Sequence, residues 1–218
     1  MSTTDKSYRA TKSARRTLTE RRAEELRLTI AQAAMELFVA DGDTSATVDR
    51  ISEVVGIAPR TFHRHFPAKE DVVRPLFQRS SQVITAAIEQ AAPDNDVVDV
   101  IVDAFTLEIR RHSLPEFDRK FMTLMADSPQ YRLRWLETDE EVCDAVTKLL
   151  ATRMDLPADP FLRSLPGQLI GHTSRQVYVH WATTGETFDR VPALLRQGIA
   201  MILAGVNALS APQAGHER

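Results

Sequence analysis

The segment at residues 56–71, GIAPRTFHRHFPAKED, places the strongest constraint on the fold of this chain. Just upstream of it, Thr47 can cap a short helix in which apolar residues recur at helical spacing. These apolar residues are Val48, Ile51 and Val55. Gly56 then stands where glycine commonly ends a helix, and Pro59 suits the first turn of a new one. Two short helices joined by a tight turn predict a helix-turn-helix.

The side chains at the start of the second helix suit contact with DNA. In a helix-turn-helix this second helix enters the major groove, and its N-terminal residues meet the edges of the bases. The hydrogen-bonding residues there are Arg60, Thr61, His63 and Arg64. Among them, we expect Arg60, Thr61 and Arg64 to read bases.

Several motifs around this segment form one longer pattern at residues 24–77. They are a first helix with Ile30, Ala33, Ala34, Leu37 and Phe38 that stops at Asp41-Gly42, then TVDRI at 47–51, TFHRHF at 61–66 and Lys69-Glu70. This pattern resembles the DNA-binding domain of the TetR (tetracycline repressor) family of transcriptional regulators. The resemblance implies an all-α protein, with a three-helix, homeodomain-like helix-turn-helix domain followed by a helical domain for ligand binding and dimerisation.

Three residues depart from the family pattern. Ala58 stands in place of a Ser or Asn cap, Ser52 replaces the common Ala, and His63 replaces the common Tyr. Loss of the side-chain cap should cost the recognition helix about 1 kcal/mol, which Pro59 partly offsets by fixing its own backbone angle.

The resemblance also implies residues that contact phosphates. They are Thr47, His63, His65 and Lys69. Phosphate contacts position a domain on DNA without reading the sequence. A histidine at position 63 can charge near neutral pH, which predicts that DNA affinity rises as the pH falls.

Charge is distributed unevenly along the 218 residues, whose net charge is −3. Residues 1–80 hold 14 Lys and Arg against 11 Asp and Glu, so this part is basic and the remainder is acidic. Residues 1–22 alone hold seven basic and two acidic residues, and they are interpreted as a basic, flexible arm. Such an arm either lies along DNA or is a solvated tail.

Helix breakers divide the rest of the chain. We expect a helix-turn-helix domain at 23–68, a linking helix at 69–91, an effector-binding and dimerisation domain at 92–210, and a flexible tail at 211–218. Within the third part, helices are predicted at 97–112, 116–126, 129–153, 160–184 and 187–209. No alternating strand pattern is seen, so the fold class is all-α.

The last two helices are the predicted homodimer surface, because the resemblance implies a four-helix bundle with two helices from each subunit. Gly167 and Gly171 lie one turn apart and would let another backbone approach closely. The final helix is apolar over a wide arc formed by Leu194, Leu195, Gly198, Ile199, Ile202, Gly205 and Val206. Such an arc suits either two buried faces or complete burial within one protomer.

The middle helices are expected to enclose an effector pocket, on the family's pattern. Its predicted lining is Phe105, Phe121, Met125, Trp135, Arg175 and Trp181. Large adaptable apolar side chains line ligand cavities, although each one also suits an ordinary core.

A polar row on the helix at 160–184 offers a second hint about the ligand. It consists of Gln168, His172, Arg175, Gln176 and His180, which could face an acidic ligand, the dimer partner or water. Arg175 is the predicted anchor for an anionic head group, because a buried guanidinium needs an acid partner. The region around Arg175, Trp181 and residues 194–196 is also similar to actinobacterial TetR regulators that respond to acyl-CoA thioesters or other hydrophobic acids.

The sequence offers no basis for catalysis, a metal or a cofactor. His63 and His65 are two residues apart, which is not the one-turn spacing of a two-histidine zinc site on a helix. Neither a G-x-S-x-G motif nor a glycine-rich phosphate loop occurs. The lone Cys143 has acidic neighbours that disfavour a thiolate, so core packing is its expected use.

The combined prediction is a cytoplasmic, homodimeric repressor that binds a palindromic operator in double-stranded DNA and responds to a small hydrophobic molecule. No signal peptide and no apolar stretch of 18 residues is expected, so no membrane is involved. Two alternatives stay open: a regulator or activator without a small-molecule effector, and an architectural protein that binds many DNA sequences alike.

Overall fold

The computed structural model describes residues 17–112 and 114–210. Its first part contains α1 (Leu18–Asp41), α2 (Val48–Val55), α3 (Pro59–His65) and a 3-10 helix at Lys69–Val73. The remainder contains α4 (Arg74–Glu89), α5 (Val97–His112), α6 (Pro115–Asp127), α7 (Pro129–Leu136), α8 (Asp139–Arg153), α9 (Pro160–Thr184) and α10 (Arg190–Ser210). No strand occurs in these ranges, and the predicted all-α class is confirmed.

Helix α1 begins earlier than the predicted arm ends. Thr17 and Glu20 form a capping box, in which the Thr17 hydroxyl accepts from the Glu20 N–H at 3.2 Å and the Glu20 carboxylate accepts from the Thr17 N–H at 2.7 Å. Residues 18–22 of the predicted arm are therefore helical. The rest of the arm and the predicted tail at 211–218 lie outside the described residues.

The helix-turn-helix follows the predicted capping. The Thr47 hydroxyl accepts from the Arg50 N–H at 3.2 Å, and Gly56 ends α2 in the left-handed region at φ 75°. Ala58 gives α3 no side-chain cap, as expected, and Pro59 occupies its first turn. The three helices share one core, whose fully buried side chains include Ile30, Phe38, Ile51 and Phe62.

Two helices expected to be continuous are broken. The segment at 69–91 starts as a 3-10 helix because Pro75, which lacks an N–H, is tolerated in the first turn of α4 but not deep inside a helix. The segment at 129–153 divides at residues 137–138 into α7 and α8. There the Thr138 carbonyl accepts a hydrogen bond from the Ser81 hydroxyl of α4 at 3.0 Å instead of continuing the helix.

Two buried glycines of α9 allow α8 to pack closely against it. A Cβ atom on Gly167 would overlap the Thr147 hydroxyl and the Cys143 carbonyl, and one on Gly171 would overlap the Cys143 Sγ. The predicted close approach at these glycines is thus confirmed, but the approaching helix is α8 of the same protomer. Cys143 is buried in this contact, which fits its predicted role in packing.

Helix α10 is unusually apolar for a helix so little covered by its own chain. Its segment Arg190–Ala208 has a mean hydropathy of 1.3, and only 28% of the segment is buried. By length and composition this segment is able to cross a membrane, so the expectation that no such stretch exists was wrong. In the described fold the helix packs against α5 and α9.

Candidate functional site

Helix α3 presents its cationic side chains to solvent because its apolar residue faces inward. Phe62 is fully buried and lies against Phe66, with 5.1 Å between ring centroids. This packing leaves Arg60, His63 and Arg64 exposed on the opposite side, with Thr61 half-buried beside them. The structure therefore brings the three predicted base-reading residues to one helix, on a surface able to enter a major groove.

The other predicted phosphate-contacting residues have contacts within the protein. The Thr47 hydroxyl is engaged as the cap of α2, and Lys69 Nζ donates to the Thr44 carbonyl at 2.8 Å. Burial lowers the pKa of His65, and the positive charges of Arg27 and Arg64 lower it further. His65 therefore favours its neutral form, whose ring N–H is still able to donate a hydrogen bond.

An ion-pair cluster joins the residues that follow α3 to helix α7. Asp71 accepts from the Ala68 N–H at 3.0 Å, and its other carboxylate oxygen lies 3.1 Å from Arg74 Nε and 2.7 Å from Arg134 Nε. Glu137 completes the cluster, 2.6 Å from Arg74 Nη2 and 3.3 Å from Arg134 Nη1. We call Asp71, Arg74, Arg134 and Glu137 the α7 ion-pair cluster.

A central cavity of about 250 Å³ lies between the helix-turn-helix domain and the larger helical domain. Helices α1 and α4 to α9 all contribute to its wall. Its aromatic side chains are Phe77, Phe105, Phe121, Trp135 and Tyr178. Phe77 and Trp135 are stacked, with 5.8 Å between centroids and 6° between ring planes. A concave space with such a wall suits an apolar ligand.

The structure places four of the six predicted pocket residues at this cavity. Phe105, Phe121, Trp135 and Arg175 line it. Met125 and Trp181 do not: both are buried in the core, and Trp181 packs edge-on against Phe188 at 5.3 Å between centroids. Met125 lies one turn after Phe121 and Trp181 three residues after Tyr178, so both continue the buried face of their helices beyond the cavity.

Arg175 already has an acid partner within the protein. Its guanidinium forms an ion pair with Asp139 at the start of α8, and its other terminal nitrogen lies 2.8 Å from His172 Nδ1. Burial lowers the pKa of Arg175. The remaining residues of the predicted polar row are exposed on the outer side of α9, where they face water or a partner; they are Gln168, His172, Gln176 and His180.

Several polar residues of the cavity wall were not predicted from the sequence. Glu108, His112 and Asp118 come from α5 and α6, and the Tyr178 hydroxyl donates to the Phe105 carbonyl. Burial raises the pKa of Asp118, and the nearby Glu108 raises it further, against the opposing effect of His112. Helical spacing could have revealed two of them, since Glu108 lies three residues after Phe105 and Tyr178 three after Arg175.

A helix-turn-helix with exposed arginines, joined to a second helical domain around a cavity, defines a DNA-binding transcriptional regulator. Residues 30–76 match the family described as "Bacterial regulatory proteins, tetR family". The helix-turn-helix part of this chain is therefore of the TetR type.

Two curated relatives support the assignment. The chain is 27% identical over 153 residues to the HTH-type transcriptional regulator TcmR of Streptomyces glaucescens, covering 67% of this chain and 68% of TcmR. It is 38% identical over 76 residues to the HTH-type transcriptional repressor LfrR of Mycolicibacterium smegmatis, covering 35% of this chain and 39% of LfrR. Both relatives are named as transcriptional regulators, and neither name describes an enzyme.

Solved structures show the same fold over nearly the whole chain. FadR of Thermus thermophilus, a TetR-family repressor in complex with lauroyl-CoA, aligns with a TM-score of 0.59 and 20% identity over 87% of this chain and 99% of FadR. Among the described residues, no group of three or more metal-ligating side chains is close enough to hold an ion.

Proposed function

We propose that the protein is a homodimeric repressor in the cytoplasm, which binds a palindromic operator and releases it when a hydrophobic small molecule enters the central cavity. The observation that carries this proposal is the position of the cavity. Gln32 and Met35 of α1 and Phe77 of α4 form part of its wall, and α1 packs against the recognition helix α3. A ligand there contacts the DNA-binding domain directly, which lets it favour one domain arrangement over another.

The operator contacts divide by chemistry. Arg60, Thr61 and Arg64 are proposed to read base edges from α3. Thr47, His63, His65 and Lys69 are proposed to contact phosphates around the groove. The name of the relative LfrR, a repressor, supports repression as the direction of control.

Exposed apolar side chains on the last two long helices support the homodimer. Phe161, Leu162 and Leu169 of α9 are 68%, 45% and 50% exposed, and Met201 of α10 is 77% exposed. Large apolar side chains grouped on two neighbouring helices indicate a protein interface. A second copy related by a twofold axis would cover them and place two α3 helices on a palindromic site.

The nature of the effector follows from the apolar wall. The lauroyl-CoA bound to FadR is in keeping with the predicted acyl-CoA-like effector, whose anionic head group Arg175 would hold. In this chain, however, Arg175 is paired with Asp139, so an anion would have to displace that carboxylate. The proposed function therefore requires only that the effector be hydrophobic.

A regulator without an effector is the main alternative, and it predicts a cavity that no small molecule enters. The test uses the full-length protein and the DNA upstream of its own gene. Footprinting should show a protected site with twofold symmetry, and fluorescence anisotropy should show release when a binding hydrophobic compound is added. Protection of many unrelated sequences would favour an architectural protein, and a complex indifferent to every compound that occupies the cavity would exclude the effector.

A further inference from the structure

We infer that the central cavity selects a hydrophobic cation, whose positive charge faces Glu108 and Asp118. The inference rests on the proposed function, since it names the chemical class of the effector that the cavity admits. It stands on three features of the wall: unbalanced carboxylates, a buried carboxylate oxygen without a hydrogen bond, and aromatic rings beside both.

The charged side chains on the cavity wall do not favour an anionic ligand. Among the described residues, Arg175 is paired with Asp139, while Glu108 has no ion pair. Asp118 meets His112 alone, at 3.4 Å, and that imidazole is more than half exposed. The remaining cation of the wall, Arg79, is exposed on α4, where solvent screens its charge. Two carboxylates thus lack a full counter-charge inside the cavity.

One oxygen of Asp118 is poorly satisfied. Its Oδ2 atom is buried and, in the part of the chain that the structure describes, accepts no hydrogen bond. Burial and the neighbouring Glu108 both raise the pKa of Asp118, so the surroundings of this carboxylate disfavour its ionised form. A bound cation relieves both effects, because it supplies an opposite charge where the carboxylate lost its hydration.

The neighbouring rings suit the same ligand. Phe105 lies one helical turn before Glu108 on α5, and Phe121 lies three residues after Asp118 on α6. Aromatic faces attract cations, most strongly where water is excluded. An anion in the same place would meet the negative faces of the rings and two carboxylates, besides competing with Asp139 for Arg175.

The test measures binding of three small probes that each carry a phenylalkyl chain and differ in the charge of the head group. They are phenylbutyltrimethylammonium, 4-phenylbutanol and 4-phenylbutyrate, titrated into the full-length protein by calorimetry at pH 7. We expect the ammonium compound to bind about tenfold or more tightly than the alcohol, and the carboxylate to bind most weakly. Tighter binding of 4-phenylbutyrate, or equal binding of all three, would overturn the cationic class and leave the proposed function standing.

Matched variants test whether Glu108 and Asp118 hold the positive charge of the ligand. Glu108→Gln with Asp118→Asn should weaken binding of the ammonium probe about tenfold or more while leaving 4-phenylbutanol unchanged. Asp127→Asn removes an exposed carboxylate from the same helix α6, outside the cavity, and should change neither. Equal effects of the double variant on both probes would indicate a structural role and refute the inference. If none of the three probes binds, the cavity is not a ligand site and the proposed function fails as well.

Discussion

At the scale of single residues, Ala58 leaves the first turn of the recognition helix without a side-chain hydrogen bond. Its backbone already has the extended conformation of a helix cap, at φ −73° and ψ 146°. We expect Ala58→Ser to stabilise the protein by about 0.5 to 1 kcal/mol, measured by urea unfolding. Ala58→Val supplies no cap oxygen and should give no gain; a gain of the same size would show that capping is not the cause.

We expect the loss of the Arg60 side chain and the loss of the Lys69 side chain to impair DNA binding in different ways. Arg60→Ala should relax discrimination at one base pair of each half-site by about 1 to 3 kcal/mol. Lys69→Ala should weaken binding to specific and unrelated DNA alike, and lower the salt dependence of binding by about one phosphate contact. Anisotropy titrations on the operator and its point variants measure both. Identical profiles for the two variants would contradict the assignment of roles.

Asp118 should lower the stability of the unliganded protein at neutral pH. Because its pKa is raised in the folded state, the folded protein binds this proton more tightly than the unfolded chain does. Its contribution to stability therefore falls as the pH rises from about the unfolded value of 3.8 through the folded pKa. We expect Asp118→Asn to raise the thermal midpoint at pH 7.

The pH dependence separates this effect from a general change in packing. The advantage of Asp118→Asn over the natural protein should shrink as the pH falls toward 4, where the natural carboxyl also becomes protonated. Asp127→Asn should show no such trend. A stabilisation that is the same at pH 4 and pH 7 would mean that the charge of Asp118 is not responsible.

At the scale of helices, α7 touches both the cavity and the DNA-binding domain. Trp135 of α7 stacks on Phe77 at the cavity wall, and the preceding Arg134 pairs with Asp71, which in turn accepts from the Ala68 N–H after α3. A ligand that displaces Trp135 would therefore pull on the α7 ion-pair cluster. A shift of α7 would therefore affect the cavity wall and the DNA-binding domain together.

Substituting Arg134 tests this connection. Arg134→Gln should reduce stability by about 1 to 3 kcal/mol, because it removes one partner of the part-buried Asp71. The loss is limited because Asp71 keeps Arg74 and the Ala68 N–H as partners. It should also reduce effector-induced release from DNA while the ligand still binds, as measured by anisotropy and calorimetry on the same sample. Arg132→Gln changes an exposed arginine of α7 and is the control. If Arg134→Gln is released from DNA by the effector as readily as the natural protein, α7 does not link the cavity to the DNA-binding domain.

The helices that the sequence predicted well are those whose ends carry local signals. Residues 97–112 and 160–184 were predicted at the observed bounds, because Asp96 and Asp159 cap them and Pro160 opens the second. The break between α7 and α8 has no glycine or proline. The local signal there is a helix-start pattern, Thr138 followed by three acidic residues, which the prediction passed over. The hydrogen bond from Ser81, 57 residues earlier in the chain, could not be predicted locally.

The two candidate sites, the DNA-contacting surface of α3 and the cavity, also differ in how far the sequence could predict them. The residues of α3 could be assigned because the motif fixes which positions face outward once Phe62 faces the core. The cavity wall depends on how seven helices meet, and both Trp135 and Trp181 are suitable side chains by composition alone. Only the packing distinguishes the one at the cavity from the one against Phe188.

At the scale of the whole molecule, the exposed apolar surface of α9 and α10 makes a prediction about assembly. Met201→Glu places a charge where a partner should bury an apolar side chain, so we expect the dimer to dissociate at micromolar concentration and operator affinity to fall. Size-exclusion chromatography with light scattering measures the first effect. Leu133→Glu changes an exposed leucine of α7 and should leave the oligomeric state intact. A Met201→Glu protein that stays dimeric would exclude this surface as the dimer interface.

The close packing at Gly167 and Gly171 limits how the protein can move. Since no space exists between α8 and α9 at these positions, the two helices cannot slide past each other and must shift as one rigid block. That block carries Val142 and Arg175 at the cavity on one side and Leu169 on the exposed apolar face on the other. In the proposed dimer, an effector that tilts the block would thereby turn one protomer relative to its partner and change the distance between the two recognition helices.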